Sequence, residues 1–87
     1  MTKVLVIEDD KAIRESIIDT LEFGGYEVFD CINGLEGLKA AITIKPDLIL
    51  CDVMMPGLDG YGVLLELSQT PETARIPFIF LTAKVAK

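Results

Sequence analysis

Short, wholly apolar runs alternate along this chain with segments of helical period, and that alternation limits the possible folds more than any other feature. Val4-Leu5-Val6-Ile7 and Leu48-Ile49-Leu50-Cys51 have no polar face, so each suits a strand buried on both sides, as in a parallel sheet covered by helices. Between them, Lys11 to Phe23 carries Ile13, Ile17 and Leu21 along one helical face. Gly24-Gly25 ends that segment, where a left-handed backbone is needed. Tyr26 to Cys31 alternates and is less apolar, which predicts a strand near a sheet edge. Asn33-Gly34 then turns into a helix expected to point Leu35, Leu38 and Ile42 inward, and Lys45-Pro46 stops it.

The second half repeats the plan. The apolar run at 48–51 terminates in Asp52. A loop from Val53 to Gly60 contains Pro56 and Gly57, and Asp59 is a good N-cap for a helix with Val63, Leu64 and Leu67 toward the core. Thr70 to Ile76 reads as a polar connection, and Pro77 opens a last strand, Phe78-Ile79-Phe80-Leu81, ending at Thr82. The order is βαβαβαβ, an α/β chain with a parallel sheet. Right-handed crossovers place the helices on both faces of such a sheet, and ligands gather at the carboxyl ends of its strands where the strand order reverses. Chemistry is therefore expected just after residues 7, 51 and 81.

Composition narrows the kinds of chemistry. At 87 residues the chain is one domain. Fourteen acidic against eight basic side chains give a net charge of −6, which repels nucleic-acid phosphates and anionic membrane. The absence of histidine removes Ser-His and Cys-His nucleophile pairs and imidazole metal sites together. Any chemistry must rest on carboxylates. Met1-Thr2-Lys3 leads directly into the first strand, without the features of a signal peptide, and no apolar run approaches the length of a membrane span. A cytoplasmic protein is expected. In a reducing cytosol Cys31 and Cys51, each inside an apolar stretch, are expected to be buried free thiols.

The carboxylates are placed suggestively. Glu8, Asp9 and Asp10 follow the first strand and Asp52 closes the third. On their own, the first three would serve as a solvated turn whose charge suits a helix N-terminus. Asp52 has no such explanation, since it ends a strand otherwise buried on both faces. If the two strands are neighbours, about 4.8 Å apart, Asp52 meets at least one of the first group at the same rim. Two carboxylates about 4 Å apart repel by roughly 4 kcal/mol at an effective dielectric of 20, so the cluster needs a cation or bound protons. Hard oxygen donors favour Mg²⁺ over zinc or copper, and an open Mg²⁺ site beside a carboxylate suits phosphoryl chemistry with that carboxylate as nucleophile. Thr82 sits on the same rim; a threonine there is an ordinary strand terminus, yet its hydroxyl could donate to a phosphoryl oxygen on Asp52.

These runs, Val4 to Asp10, Leu48-Ile49-Leu50-Cys51-Asp52-Val53-Met54-Met55-Pro56-Gly57-Leu58-Asp59-Gly60, and Ile76 to Ala83, resemble the N-terminal motifs of response-regulator receiver domains from two-component signalling. The resemblance extends over the whole chain, and its most specific part is the segment from Asp52 to Gly60 with the acidic pair before it. It implies a flavodoxin-like, CheY-like doubly wound sheet in strand order 2-1-3-4. It also implies roles: Asp52 as phosphoacceptor and Mg²⁺ ligand, Asp9 as a direct Mg²⁺ ligand, Glu8 acting through water, and the Met54 backbone carbonyl as the third protein ligand. Thr82 corresponds to the switch hydroxyl and Ala83 to the small residue beside it. The implied partners are a sensor histidine kinase or phosphotransfer protein, which brings the histidine absent here, and an output domain or downstream protein.

One part of the family pattern is missing. Receiver domains carry a fifth strand with a Lys-Pro pair whose lysine contacts the phosphoryl group, and neither Lys84 nor Lys87 precedes a proline. Residues 1–87 are accordingly expected to be a partial receiver domain, impaired in signalling and prone to self-association through an unpaired fourth strand. Two other functions fit the fold. A Mg²⁺-dependent phosphohydrolase with an aspartyl nucleophile needs a second acid two residues later, where Met54 stands. A flavin-binding domain needs a Ser/Thr/Gly-rich phosphate loop, where Glu8-Asp9-Asp10 would repel a phosphate.

Overall fold

In a computed structural model, which describes residues 1–81, the strands are β1 (Lys3–Ile7), β2 (Glu27–Cys31), β3 (Leu48–Asp52) and β4 (Phe78–Leu81), with helices α1 (Lys11–Phe23), α2 (Gly34–Ile44) and α3 (Gly60–Ser68) between them. All strand pairs are parallel, in the order β2-β1-β3-β4. The expected alternation and strand order are both present. The strand order reverses between β1 and β3, which pair Val4 with Leu48 and Ile7 with Cys51. Every residue from Val4 to Ile7 is fully buried, as are Ile49 and Cys51. The outer strand β2 is more exposed, in keeping with its polar alternation.

The helix ends follow their capping chemistry. Asp10, Asn33 and Asp59 each accept a hydrogen bond from a backbone N–H three residues on, at Ile13, Glu36 and Gly62, which satisfies donors the first helical turn leaves open. At the end of α1, Tyr26 N–H donates to the Leu21 carbonyl and Gly25 N–H to that of Glu22. This is the double-bonded termination that requires a left-handed residue, and Gly25 supplies it with φ of 91°. Gly24 stays right-handed. Lys45 closes α2 at φ of 53°, and Pro46 follows it.

One inward face differs from expectation. Leu35 and Ile42 are exposed, and the buried residues of α2 are Gly34, Gly37 and Ala41. The reason is distance: a Cβ at Gly37 would strike the Ile7 side chain, and one at Gly34 would strike the Leu58 carbonyl. The helix lies so close to β1 and to the loop after β3 that only small residues fit beneath it. On α3 the expected face is present, with Val63 and Leu67 buried and Leu64 partly so. The core on this side of the sheet joins them to Leu5, Ile7, Ile49 and Met55. Ile13, Ile17 and Leu21 do share a face of α1, but none of the residues of that helix is fully buried. No helix among the described residues is long and apolar enough to cross a membrane.

Candidate phosphoryl and metal site

The β1–β3 register brings the acidic residues together. Because Ile7 lies opposite Cys51, the next residue on each strand, Glu8 and Asp52, emerges at the same rim. Carboxylate oxygens of Glu8, Asp9 and Asp52 all lie within 4.8 Å of one another. Glu8 and Asp52 are fully buried, and Asp9 is partly exposed at the mouth of the cluster. Asp10 is the helix cap and does not join them. Of the solvated turn that Glu8 to Asp10 would form on their own, only Asp10 is exposed.

Local hydrogen bonds hold this arrangement. The Glu8 backbone N–H donates to the Cys31 carbonyl at 3.1 Å, which ties the end of β1 to β2. The Asp10 N–H donates to Oε2 of Glu8 at 2.9 Å, so the loop backbone turns that carboxylate. On the other side of the site, Gly60 N–H donates to the Val53 carbonyl at 2.9 Å and draws the start of α3 against the end of β3. Met54, 60% exposed, stands two residues beyond Asp52, where a phosphohydrolase needs its second acid. Thr82 and Ala83 lie outside the described residues.

Charged carboxylate oxygens 4.8 Å apart repel by about 3.5 kcal/mol at an effective dielectric of 20. Such a cluster persists only with compensating positive charge or protons. Its donors are all hard oxygens, and one of the three faces solvent, which suits a small divalent cation that keeps part of its water shell.

The same charges act on a neighbouring thiol. Cys31 and Cys51 are both free, but only Cys51 is buried; Cys31 is partly exposed, against the expectation for both. Burial raises the Cys31 thiol, with Asp30 and Glu36 adding to the effect. Burial, then Asp52, Glu8 and Asp59, push Cys51 from an ordinary 9.0 up to about 12. Below pH of about 9 both folded and unfolded chains hold that proton. Between about 9 and about 12 the unfolded chain releases it and the folded chain does not, so stability falls as pH rises, by about 1.4 kcal/mol per unit at most. Urea melts across this range should show the fall, and Cys51→Ala should flatten it; an equal slope in that variant would refute the assignment. A thiol reagent at pH 8 should label Cys31 well before Cys51.

One contributor went unnoticed in the sequence. Arg14, in the first turn of α1, donates from Nη1 to the Glu8 carbonyl at 2.9 Å and from Nε to Oδ2 of Asp30 at 3.1 Å. Nothing local distinguishes it from any other helical arginine, since its partners come from the residue after β1 and from β2.

Known proteins resemble this chain in sequence and fold. The response regulator receiver domain family model matches residues 4–87. The DNA-binding dual master transcriptional regulator RpaA of Synechocystis is 40% identical over 83 residues, 95% of this chain and 34% of that protein. The response regulator MprA of Mycobacterium ulcerans is 40% identical over 82 residues, 94% of this chain and 34% of its own length. The chain thus spans about a third of these curated relatives. Among solved structures, the N-terminal domain of a response regulator receiver protein from Methanoculleus marisnigri superposes with a TM-score of 0.92 at 37% identity, covering 97% of this chain and 68% of that one. The receiver domain of a Pseudomonas aeruginosa sensor histidine kinase, with magnesium coordinated in its active-site cleft, gives 0.92 at 30% identity, covering 99% and 70%. With its acidic cluster at the β1–β3 rim, its strand order and these matches, the chain belongs to the receiver domain family of two-component response regulators.

Proposed function

We propose that Asp52 accepts a phosphoryl group from a phosphohistidine on a sensor kinase or phosphotransfer protein. The observation that carries this is the buried Asp52 carboxylate, set within 4.8 Å of those of Glu8 and Asp9 at the ends of two adjacent parallel strands. An Asp52 oxygen attacks the phosphorus, the O–P bond forms as the N–P bond breaks, and the electron pair returns to the partner's imidazole. The partner must bring that histidine, because this chain has none. Asp9 and Asp52 would hold Mg²⁺ directly, Glu8 would act through water, and the Met54 carbonyl would complete the protein's share of the donors. A bound Mg²⁺ offsets the charge of the carboxylates and of the incoming phosphoryl oxygens. Thr82 supplies a hydroxyl to the phosphorylated aspartate, and the change is passed to an output domain or downstream protein.

Residues 1–87 are, in this reading, the larger part of a receiver domain. Support comes from the solved relatives, whose chains are covered to 68% and 70%. The decisive experiment uses the polypeptide with its natural continuation, incubated with acetyl phosphate and Mg²⁺ and weighed intact. One added phosphoryl group is expected, lost in Asp52→Ala and suppressed by a chelator. An unchanged mass, or a gain that survives Asp52→Ala, would overturn the proposal.

A further inference from the structure

We infer that Arg14 is a positioning residue for the metal site, acting through the Glu8–Asp9 peptide; the inference rests on the assignment of that site to Mg²⁺. The guanidinium spans three elements. Its Nη1 holds the Glu8 carbonyl at 2.9 Å and its Nε holds Oδ2 of Asp30 on β2 at 3.1 Å, while its own backbone N–H donates to the Asp10 carbonyl in the first turn of α1. The Arg14 side chain is 13% exposed and that of Asp30 43%.

The geometry matters because a peptide unit is planar. The Glu8 carbonyl belongs to the plane that ends at the Asp9 Cα, so holding this oxygen orients the residue that carries the exposed carboxylate. Glu8 is held on its other side by its N–H bond to the Cys31 carbonyl. Arg14 and β2 together therefore clamp Glu8 at both backbone groups, and Asp30 aims the guanidinium. A partly exposed ion pair contributes little to stability by itself; this one has its value in fixing a fork whose second arm reaches the site. A lysine has no such fork and could not hold both oxygens in this geometry.

Charge alone predicts the opposite result from positioning, which makes the inference testable. Arg14 is a cation close to a cation site, so if it acts only by charge, removing it should tighten Mg²⁺ binding. If it acts by orienting the Glu8–Asp9 peptide, removing it should loosen binding, as the loss of supporting contacts around metal ligands does. Isothermal titration of the chain with Mg²⁺ at fixed ionic strength, beside melting curves in chelator, separates the two. Arg14→Gln and the charge-retaining Arg14→Lys are both expected to weaken Mg²⁺ binding by about tenfold. Should Arg14→Gln melt at the titration temperature, Arg14→Lys alone decides. Tighter or unchanged binding in a folded variant overturns the inference. A wild-type chain with no Mg²⁺ affinity overturns the site assignment itself, and this inference with it.

Discussion

Gly60→Ala is expected to lower the thermal midpoint by at least about 12 °C and to leave a large part of the population unfolded under mild heating. A Cβ at this position would strike the Asp52 carbonyl oxygen and lie 3.0 Å from the Val53 Cα and 3.1 Å from the Asp52 carbonyl carbon. All three are backbone atoms, so no rotamer change relieves the contact. Moving them means parting α3 from β3 and breaking the Gly60 bond to the Val53 carbonyl. Forcing extra volume into a packed site typically costs about 1 to 3 kcal/mol, and the rigid backbone contacts put this position at or above the upper end, against a total of roughly 4 to 13 kcal/mol for a domain of this size. At about 4 to 8 °C per kcal/mol for small domains, the shift follows.

A neighbouring glycine is the control. At Gly62 the added Cβ would meet Cδ1 of Leu58, the end of a flexible side chain, and alanine favours the helix there. Gly62→Ala should therefore stay within about 1 kcal/mol of the parent. Circular dichroism melts of the two variants test the contrast, and equal midpoints would show that the β3–α3 junction is looser than described. The displaced Asp52 backbone should also weaken Mg²⁺ binding in whatever Gly60→Ala remains folded.

The two glycines show why some of this molecule was legible in the sequence and some was not. Apolar runs such as Val4–Ile7 and Leu48–Cys51 announce buried strands because a strand's periodicity is local, and each run lies within its strand as the structure bounds it. The meeting of Asp52 with the acidic pair followed from a single topological step, the pairing of β1 with β3. The inward face of α2 did not follow. Helical spacing pointed to Leu35 and Ile42, whereas the closeness of α2 to Ile7 and Leu58 selects Gly34, Gly37 and Ala41. Interhelix and helix–sheet distances are not written in hydrophobicity. The burial of Glu8 was likewise hidden, since an acidic turn and a buried carboxylate have the same sequence. Arg14 depends on oxygens six and sixteen residues away, a coincidence that only the folded chain displays.

Mg²⁺ should stabilise this chain by an amount set by mass action, and the effect should depend on the three carboxylates. A ligand that binds only the folded state adds RT ln(1 + [L]/Kd), about 2.7 kcal/mol at a hundredfold excess over Kd, or roughly 10 to 20 °C in a small domain. The folded state alone assembles the site, because Glu8 and Asp9 follow one strand and Asp52 ends another. The rise in midpoint should grow with the logarithm of Mg²⁺ concentration, vanish with a chelator, and be absent with Na⁺ at matched ionic strength. Asp9→Asn and Asp52→Asn remove charged oxygens without changing shape, so each should lose most of the Mg²⁺ increment whatever it does to the metal-free midpoint. If Na⁺ at matched strength raised the midpoint as much as Mg²⁺, the carboxylates would be relieved by screening alone. If Asp9→Asn kept the full increment, the cation would sit elsewhere, and the partial exposure of Asp9 at the mouth of the cluster would have no part in holding it.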